Sequence, residues 1–241
     1  MDDHSGSMKL ICYSFYSQSR FLMKQKGGRL LSFASVILAL SLMIFTDTSS
    51  ASEDDSLLKA ASTENLSKVR ALLKKGINVD AKDSVGATAL MIASEFGREK
   101  IVQALLDKGA QVNHQRKDGY TALIIASQQG NESIVRVLLD RGAKINHQAS
   151  NGVTALIIAS QQGYESIVQA LLGMGAKINH QAKNGVTALI IASQEGHEVI
   201  VQTLLAKGAK VNVRENGGGT ALKYAETQKI KKLLKASGAS E

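Results

Sequence analysis

A fixed period of 33 residues limits what this chain can fold into more than any other feature of its sequence. Five glycines mark the period: Gly86, Gly119, Gly152, Gly185 and Gly218. A threonine stands two residues after each of them: Thr88, Thr121, Thr154, Thr187 and Thr220. Such a period is typical of stacked repeat proteins, in which each unit buries its apolar side against its neighbours. The stretch from Asp83 to Arg214 is therefore predicted to hold four copies of one unit.

Each unit is predicted to contain two short helices. The best-preserved copy reads GVTALIIASQQG over 152–163, ESIVQALL over 165–172 and GAKIN over 175–179. In the preceding copy, Thr121 can cap the first helix, while Gly130 and Gly142 can end the two helices. Helices of about eight to ten residues are unstable alone, so they must pack on their neighbours. The predicted packing residues of that copy are Leu123, Ile124, Ile125, Ala126, Ile134, Val135, Leu138 and Leu139.

This unit resembles the ankyrin repeat, whose pattern is Gly-x-Thr-Pro-Leu-His-x-Ala-Ala-x-x-Gly, then a helix ending Val-x-x-Leu-Leu, then Gly-Ala-x-x-Asn. The resemblance covers about 190 residues. It implies an all-α repeat solenoid of paired short antiparallel helices with protruding hairpin loops, such as Ile145 to Gln148. Ala155 and Ile157 replace the proline and histidine of the pattern, and the chain contains no proline. Alanine still propagates a helix, so we expect the fold to be retained.

The repeat sets the predicted boundaries. We expect an extension and signal peptide over 1–51 and an ankyrin-repeat domain over 52–241. That domain divides into an N-terminal cap (54–82), four repeats (83–115, 116–148, 149–181, 182–214) and a C-terminal cap (215–241). One period before Thr88, Asp55 occupies the helix-start position of a degenerate first unit. In the last unit, Leu233-Leu234 comes four residues early, which predicts a shortened second helix.

The segment 23–51 is interpreted as an export signal. It has a basic start at Lys24, Lys26 and Arg29, an apolar run over 30–45, and small residues before a predicted cut after Ala51. As a helix the run would span about 24 Å, less than the hydrocarbon thickness of about 30 Å, which favours a cleaved signal over a membrane anchor. Translation is expected to start at Met8 or Met23, with Met1 as the alternative.

Charge and cysteine content restrict the function further. The net charge of +8 favours an anionic partner surface without requiring one. Cys12 is the single cysteine, so neither an internal disulfide nor a cysteine-based metal site can form. The sequence lacks an arginine-rich groove and a run of stacking aromatics, which argues against nucleic-acid binding.

Four features of the sequence bear on possible chemistry. His114, His147 and His180 share one position in successive units, which are too far apart to share a metal, so a role in hairpin hydrogen bonding is predicted. Four serines also recur at one position of the repeat: Ser94, Ser127, Ser160 and Ser193. Because the residues of an active site are expected to differ from one repeat to the next, these serines are not predicted to be nucleophiles. Gly217-Gly218-Gly219 is interpreted as a turn. Lysines 229, 231, 232 and 235 are interpreted as a solvated cap, with docking of an acidic partner as the alternative. No catalysis, cofactor or metal is predicted.

The resemblance implies that hairpin tips and the outer ends of the first helices make a concave face that binds a protein. Carried over to this sequence, the candidate partner-binding residues are Phe96, Lys117, Asp118, Tyr120, Gln128, Gln129, Asn151, Gln161, Gln162, Lys183, Asn184, Gln194 and Glu195. Glu95, which precedes Phe96 at the outer end of the same first helix, is a further position on this face. Phe96 and Tyr120 are the expected anchors.

The protein is predicted to be a secreted or periplasmic protein-binding module without catalytic activity. It is expected to act as a monomer. Its partner is a protein of unknown identity, and the positive charge of the chain favours an acidic one. A membrane-tethered adaptor, with residues 30–45 uncleaved, is one alternative. A small-molecule-binding accessory protein is the other.

Overall fold

The computed structural model describes residues 53–240, which form twelve helices in six pairs. The predicted signal peptide, its cut after Ala51, the apolar run over 30–45 and Cys12 lie outside the described residues. In chain order the helices are α1 (Glu53–Ser62), α2 (Leu66–Lys74), α3 (Ala89–Glu95), α4 (Glu99–Asp107), α5 (Ala122–Gln129), α6 (Glu132–Asp140), α7 (Ala155–Gln162), α8 (Glu165–Gly173), α9 (Ala188–Gln194), α10 (Glu198–Ala206), α11 (Ala221–Tyr224) and α12 (Gln228–Ala236).

The six pairs stack in a single row. The two helices of each pair pack together, and each first helix also packs on the first helices of the neighbouring pairs. Buried side chains join into one core cluster that runs from Leu57 in α1 to Leu234 in α12. All eight packing residues predicted for the copy at 116–148 are buried. The predicted all-α repeat solenoid is confirmed.

Threonine and glycine set the helix ends as predicted. Thr121 is the N-cap of α5, where its hydroxyl accepts a hydrogen bond from the Ile124 amide at 3.4 Å. Gly130 ends α5 in the left-handed conformation, with φ of 78°. Threonines cap the first helices of the neighbouring repeats in the same way, so the first helices of these repeats begin at positions fixed by the period.

Hairpin loops connect the pairs and bond to one another. In one loop, the Ala149 amide donates to the Val153 carbonyl at 2.9 Å, which closes the turn. At the tips, the Ser150 amide donates to the Asp118 carbonyl of the preceding hairpin at 2.9 Å, and the Lys183 amide to the Asn151 carbonyl at 3.0 Å. The tips therefore form a continuous row held by backbone hydrogen bonds.

An asparagine couples the second-helix sides of neighbouring repeats. The Asn113 side chain accepts from the Lys144 amide at 2.7 Å and donates to the Gly142 carbonyl at 3.0 Å. Asn146 likewise accepts from the Lys177 amide at 2.7 Å. The last residue of the Gly-Ala-x-x-Asn pattern is thus a hydrogen-bonding link to the next unit.

The two terminal units differ from the predictions. Helix α1 begins at Glu53, so Asp55 lies inside the helix and not at its start. The prediction that the last second helix is shortened was wrong, because α12 has nine residues, the same number as α10. The first helix of the last unit is shortened instead: α11 has four residues, whereas α9 has seven. The deletion falls between Tyr224 and Thr227, where it removes the last turn of the first helix. Thr227 then caps α12 by accepting from the Ile230 amide at 3.2 Å.

None of the helices between residues 53 and 240 combines the length and apolar character needed to span a bilayer.

Candidate functional site

The candidate residues lie in two parallel rows. One row consists of residues in or beside the hairpin tips: Lys117, Asp118, Tyr120, Asn151, Lys183 and Asn184. The other consists of residues at the C-terminal ends of the first helices: Phe96, Gln128, Gln129, Gln161, Gln162, Gln194 and Glu195. First helices of neighbouring repeats pack more extensively on one another than second helices do, so the stack is most closely packed on this side. We call the two rows together the concave face.

Exposure differs along the concave face. Phe96 has 40 % of its surface exposed, which makes it one of three large apolar side chains exposed among the described residues. Gln129, Lys117, Asn151, Lys183 and Asn184 are exposed, and the remaining candidates are half-buried. A mostly polar surface with one prominent aromatic side chain is suited to contact with another molecule.

Arg116 holds Tyr120 in place. The guanidinium lies 5.3 Å from the centre of the Tyr120 ring, within the range of a cation–π contact. It also donates two hydrogen bonds to the Asp118 carboxylate, from Nε at 3.0 Å and from Nη2 at 2.5 Å. Asp118 Oδ1 in turn accepts from the Tyr120 amide at 3.1 Å. Arg116 was not among the candidates, although an arginine at a position that holds Asp83, Ala149 and Ala182 in other units marks it as unusual.

These contacts determine the charge state of Asp118. Burial by itself raises the pKa of its carboxyl group, but the hydrogen bonds from Arg116 and from the Tyr120 amide lower it by more. The pKa of Asp118 therefore lies below its ordinary value. Asp118 stays ionised at neutral pH and can hold Arg116 against Tyr120.

The pKa of Glu95, at the end of α3, is shifted in the direction opposite to that of Asp118. Burial raises the pKa of its carboxyl group, the positive charge of Arg116 lowers it in part, and the negative charge of Asp83 raises it again. The three following units have glutamine at this position, Gln128, Gln161 and Gln194. Glu95 is thus a carboxylate in a site that in other units takes a neutral amide.

Replacing Glu95 with glutamine is expected to raise the Tm at about pH 7 and to leave it unchanged at about pH 3.5. A raised pKa in the folded state means that folding favours the protonated acid, so stability falls as the pH rises from the unfolded pKa through the folded one. Because glutamine does not ionise, the Glu95→Gln variant does not lose stability as the pH rises. Thermal unfolding followed by circular dichroism measures it, with Glu226→Gln, an exposed site, as the matched control. A lower Tm for Glu95→Gln at neutral pH would contradict the assignment.

The three aligned histidines have the predicted structural role. His114 Nε2 donates to the Gly86 carbonyl at 3.0 Å, and His147 Nε2 to the Gly119 carbonyl at 2.9 Å, each in the preceding hairpin. His180 makes the same bond to Gly152. Across residues 53–240, no three His, Cys, Asp or Glu side chains are grouped so that they could hold a metal ion.

Two other sequence features have structural explanations. Ser127, Ser160 and Ser193 are fully buried between helices and cannot meet a substrate there. The Gly217 and Gly219 amides donate to the Glu215 carboxylate at 2.7 and 2.8 Å. These amides close the turn and are not directed at a ligand.

Comparison with known families gives one result for nearly the whole repeat region. A family model described as ankyrin repeats matches the chain in three copies, over residues 37–116, 110–182 and 175–240. These matches include most of the chain. The comparison with curated proteins gave no match.

Proposed function

Since the chain belongs to the ankyrin-repeat family, we propose that it is an exported protein that binds another protein through the concave face and performs no catalysis. Ankyrin repeats are in general protein–protein interaction modules. The observation that carries the proposal is the surface at the first two full repeats, where the exposed Phe96 accompanies a Tyr120 ring fixed by Arg116.

This surface has the composition of a binding hot spot. Tryptophan, tyrosine and arginine are enriched among the residues that contribute most to protein interfaces. Arg116 also acts electrostatically on Glu95, which immediately precedes Phe96 in the chain. Because Tyr120 is already held by Arg116 and Asp118, a partner would lose little side-chain entropy in ordering it.

The remainder of the face supports specificity. Its glutamine and asparagine side chains both donate and accept hydrogen bonds, so they can match the backbone and polar groups of a protein surface. The net positive charge would speed encounter with an acidic partner. We propose a monomer whose concave face binds such a partner and takes neither nucleic acid nor membrane as its ligand.

Changing both Phe96 and Tyr120 to alanine is expected to weaken partner binding by tenfold or more, equivalent to about 1.4 kcal/mol or more. Phe96 is exposed and Tyr120 only packs against the edge of the core, so the Tm should fall modestly and the protein should stay folded. The partner is first identified by crosslinking in the native compartment, and affinity is then measured by calorimetry. Met174→Ala is the matched control, because Met174 is 49 % exposed at the end of α8, a second helix. Unaltered affinity of the double variant would remove the anchor assignment.

Export rests on the pattern of the segment 23–51. The mature protein is expected to begin at Ser52, and peptide mapping of the exported protein measures this directly. A mature N-terminus upstream of Met23, or residence in the membrane fraction with residues 30–45 retained, would contradict a cleaved signal.

A further inference from the structure

The last unit has a pocket whose lining is strongly basic. Its volume is about 440 Å³. The lining residues are Arg214, Gly218, Thr220, Leu222, Lys223, Lys231 and Lys235. Four of the seven carry a positive charge and none carries a negative one. No residue of the concave face contributes to it.

The lysines replace apolar residues of the repeat. Aligning Thr220 with Thr187 places Lys223 at the position of Ile190, which is 1 % exposed. Aligning the buried Leu234 with Leu204 places Lys231 at the position of Val201, which is fully buried. By the same alignment Lys235 stands at the position of the half-buried Leu205. Three positions that hold apolar packing residues in the preceding repeat thus hold cations that line one pocket.

A cap that only needs to be soluble does not require this arrangement. Terminal units of repeat proteins need a polar outer surface, which charges of both signs provide. The dipole of α12 favours a cation in its last turn, where Lys235 lies, but Lys231 is in its first turn, where a cation is disfavoured. Like charges gathered around one concavity repel one another, and a bound anion removes that repulsion.

The neighbouring acids are engaged outside the pocket lining. The Glu215 carboxylate accepts from the Gly217 and Gly219 amides and from the Tyr224 hydroxyl, at 2.7, 2.8 and 3.0 Å. These hydrogen bonds lower the pKa of Glu215. Glu198 pairs with Lys229 at 2.8 Å. Glu215 is close enough to Lys223 for electrostatic attraction, but its oxygens already have these partners.

We propose that this pocket binds an anion that carries two or more phosphate groups. Its volume falls within the range of about 300–1,000 Å³ found for small-molecule sites. Lysine ammonium groups bind phosphate as point charges, and a guanidinium can donate to two oxygens. Arg214 Nη1 donates to the Gly218 carbonyl at 2.8 Å, which anchors the guanidinium at the pocket. Soluble polyphosphates and lipid headgroups with two phosphates, such as that of cardiolipin, share this chemistry.

Calorimetric titration of the full chain with tripolyphosphate, at constant ionic strength, tests the proposal. The wild type is expected to bind. The Lys231→Gln/Lys235→Gln variant should bind tenfold or more weakly, because it removes two of the four positive charges that line the pocket. The Lys207→Gln/Lys232→Gln variant loses the same charge at positions outside the lining and should bind within about twofold of wild type. Equal weakening of both variants would show a diffuse charge effect and overturn the proposal.

A second arm distinguishes the two sources of phosphate. The same three proteins are sedimented with vesicles that contain cardiolipin, whose headgroup carries two phosphates. Tripolyphosphate binding that depends on Lys231 and Lys235 supports a soluble ligand, and vesicle binding alone with the same dependence supports a lipid headgroup. If the wild type binds neither probe, the proposal fails. Circular dichroism of all three proteins confirms that the variants are folded.

Discussion

Replacing Leu138 with alanine is expected to lower the free energy of unfolding by roughly 2–5 kcal/mol. Leu138 lies on α6 with none of its surface exposed, in the core cluster that joins the repeats. Truncating it removes buried apolar surface and leaves a cavity that short, mutually dependent helices cannot fill without moving. Urea unfolding followed by circular dichroism at 222 nm measures the change.

The control for Leu138 is on the same helix. Ser133 is exposed on α6, and Ser133→Ala should change the free energy of unfolding by about 0.5 kcal/mol or less. If Leu138→Ala also costs less than about 0.5 kcal/mol, Leu138 does not face the core and the helical register of the repeat is wrong.

Gly119→Ala is the second change with a large expected effect, and Gly142→Ala is its matched control. Both glycines are left-handed, with φ of 80° and 83°, so an alanine at either site meets the same backbone cost of about 1–2 kcal/mol. At Gly142 a Cβ atom would have nothing within 4 Å. At Gly119 it would lie 2.7 Å from the Ser150 backbone nitrogen and 3.0 Å from the Ala149 Cα atom. The next hairpin would have to move.

Gly119→Ala should therefore cost about 1–3 kcal/mol more than Gly142→Ala, as expected for overpacking against backbone. The displaced hairpin would also weaken the bond from Ser150 to Asp118 and the one from His147 to Gly119. Urea unfolding of the two variants gives the difference directly. Equal losses for the two variants would show that the hairpin tips are not packed as described.

The repeat unit was predictable from the sequence because its determinants are local. A threonine three residues before the amide it caps, or a glycine at a left-handed position, depends on the conformation of a few neighbouring residues. The histidines were predictable in part. Their recurrence at one position indicated a hairpin role, but the acceptor is a carbonyl 28 residues earlier, which only the stacking of repeats identifies.

Features that depend on packing between units were not predictable. From the sequence alone, Leu204 of the preceding repeat can be aligned with either Leu233 or Leu234. Because Leu234 is fully buried, as Leu204 is, the last unit lacks three residues relative to the preceding repeat, and they are missing from its first helix. The role of Arg116 in the candidate site depends on the conformation of the hairpin, which places its guanidinium against Tyr120 and Asp118. The raised pKa of Glu95 similarly depends on burial within the folded stack.

Site-specific photo-crosslinking in the native compartment tests most directly whether the partner binds through the concave face. Gln129 at the end of α5 and Gln169 on α8 are both exposed glutamines, one on the concave face and one on a second helix. A photoreactive residue at Gln129 is expected to capture a partner protein, and the same residue at Gln169 is expected to capture none. Capture from Gln169 but not from Gln129 would contradict binding through the concave face.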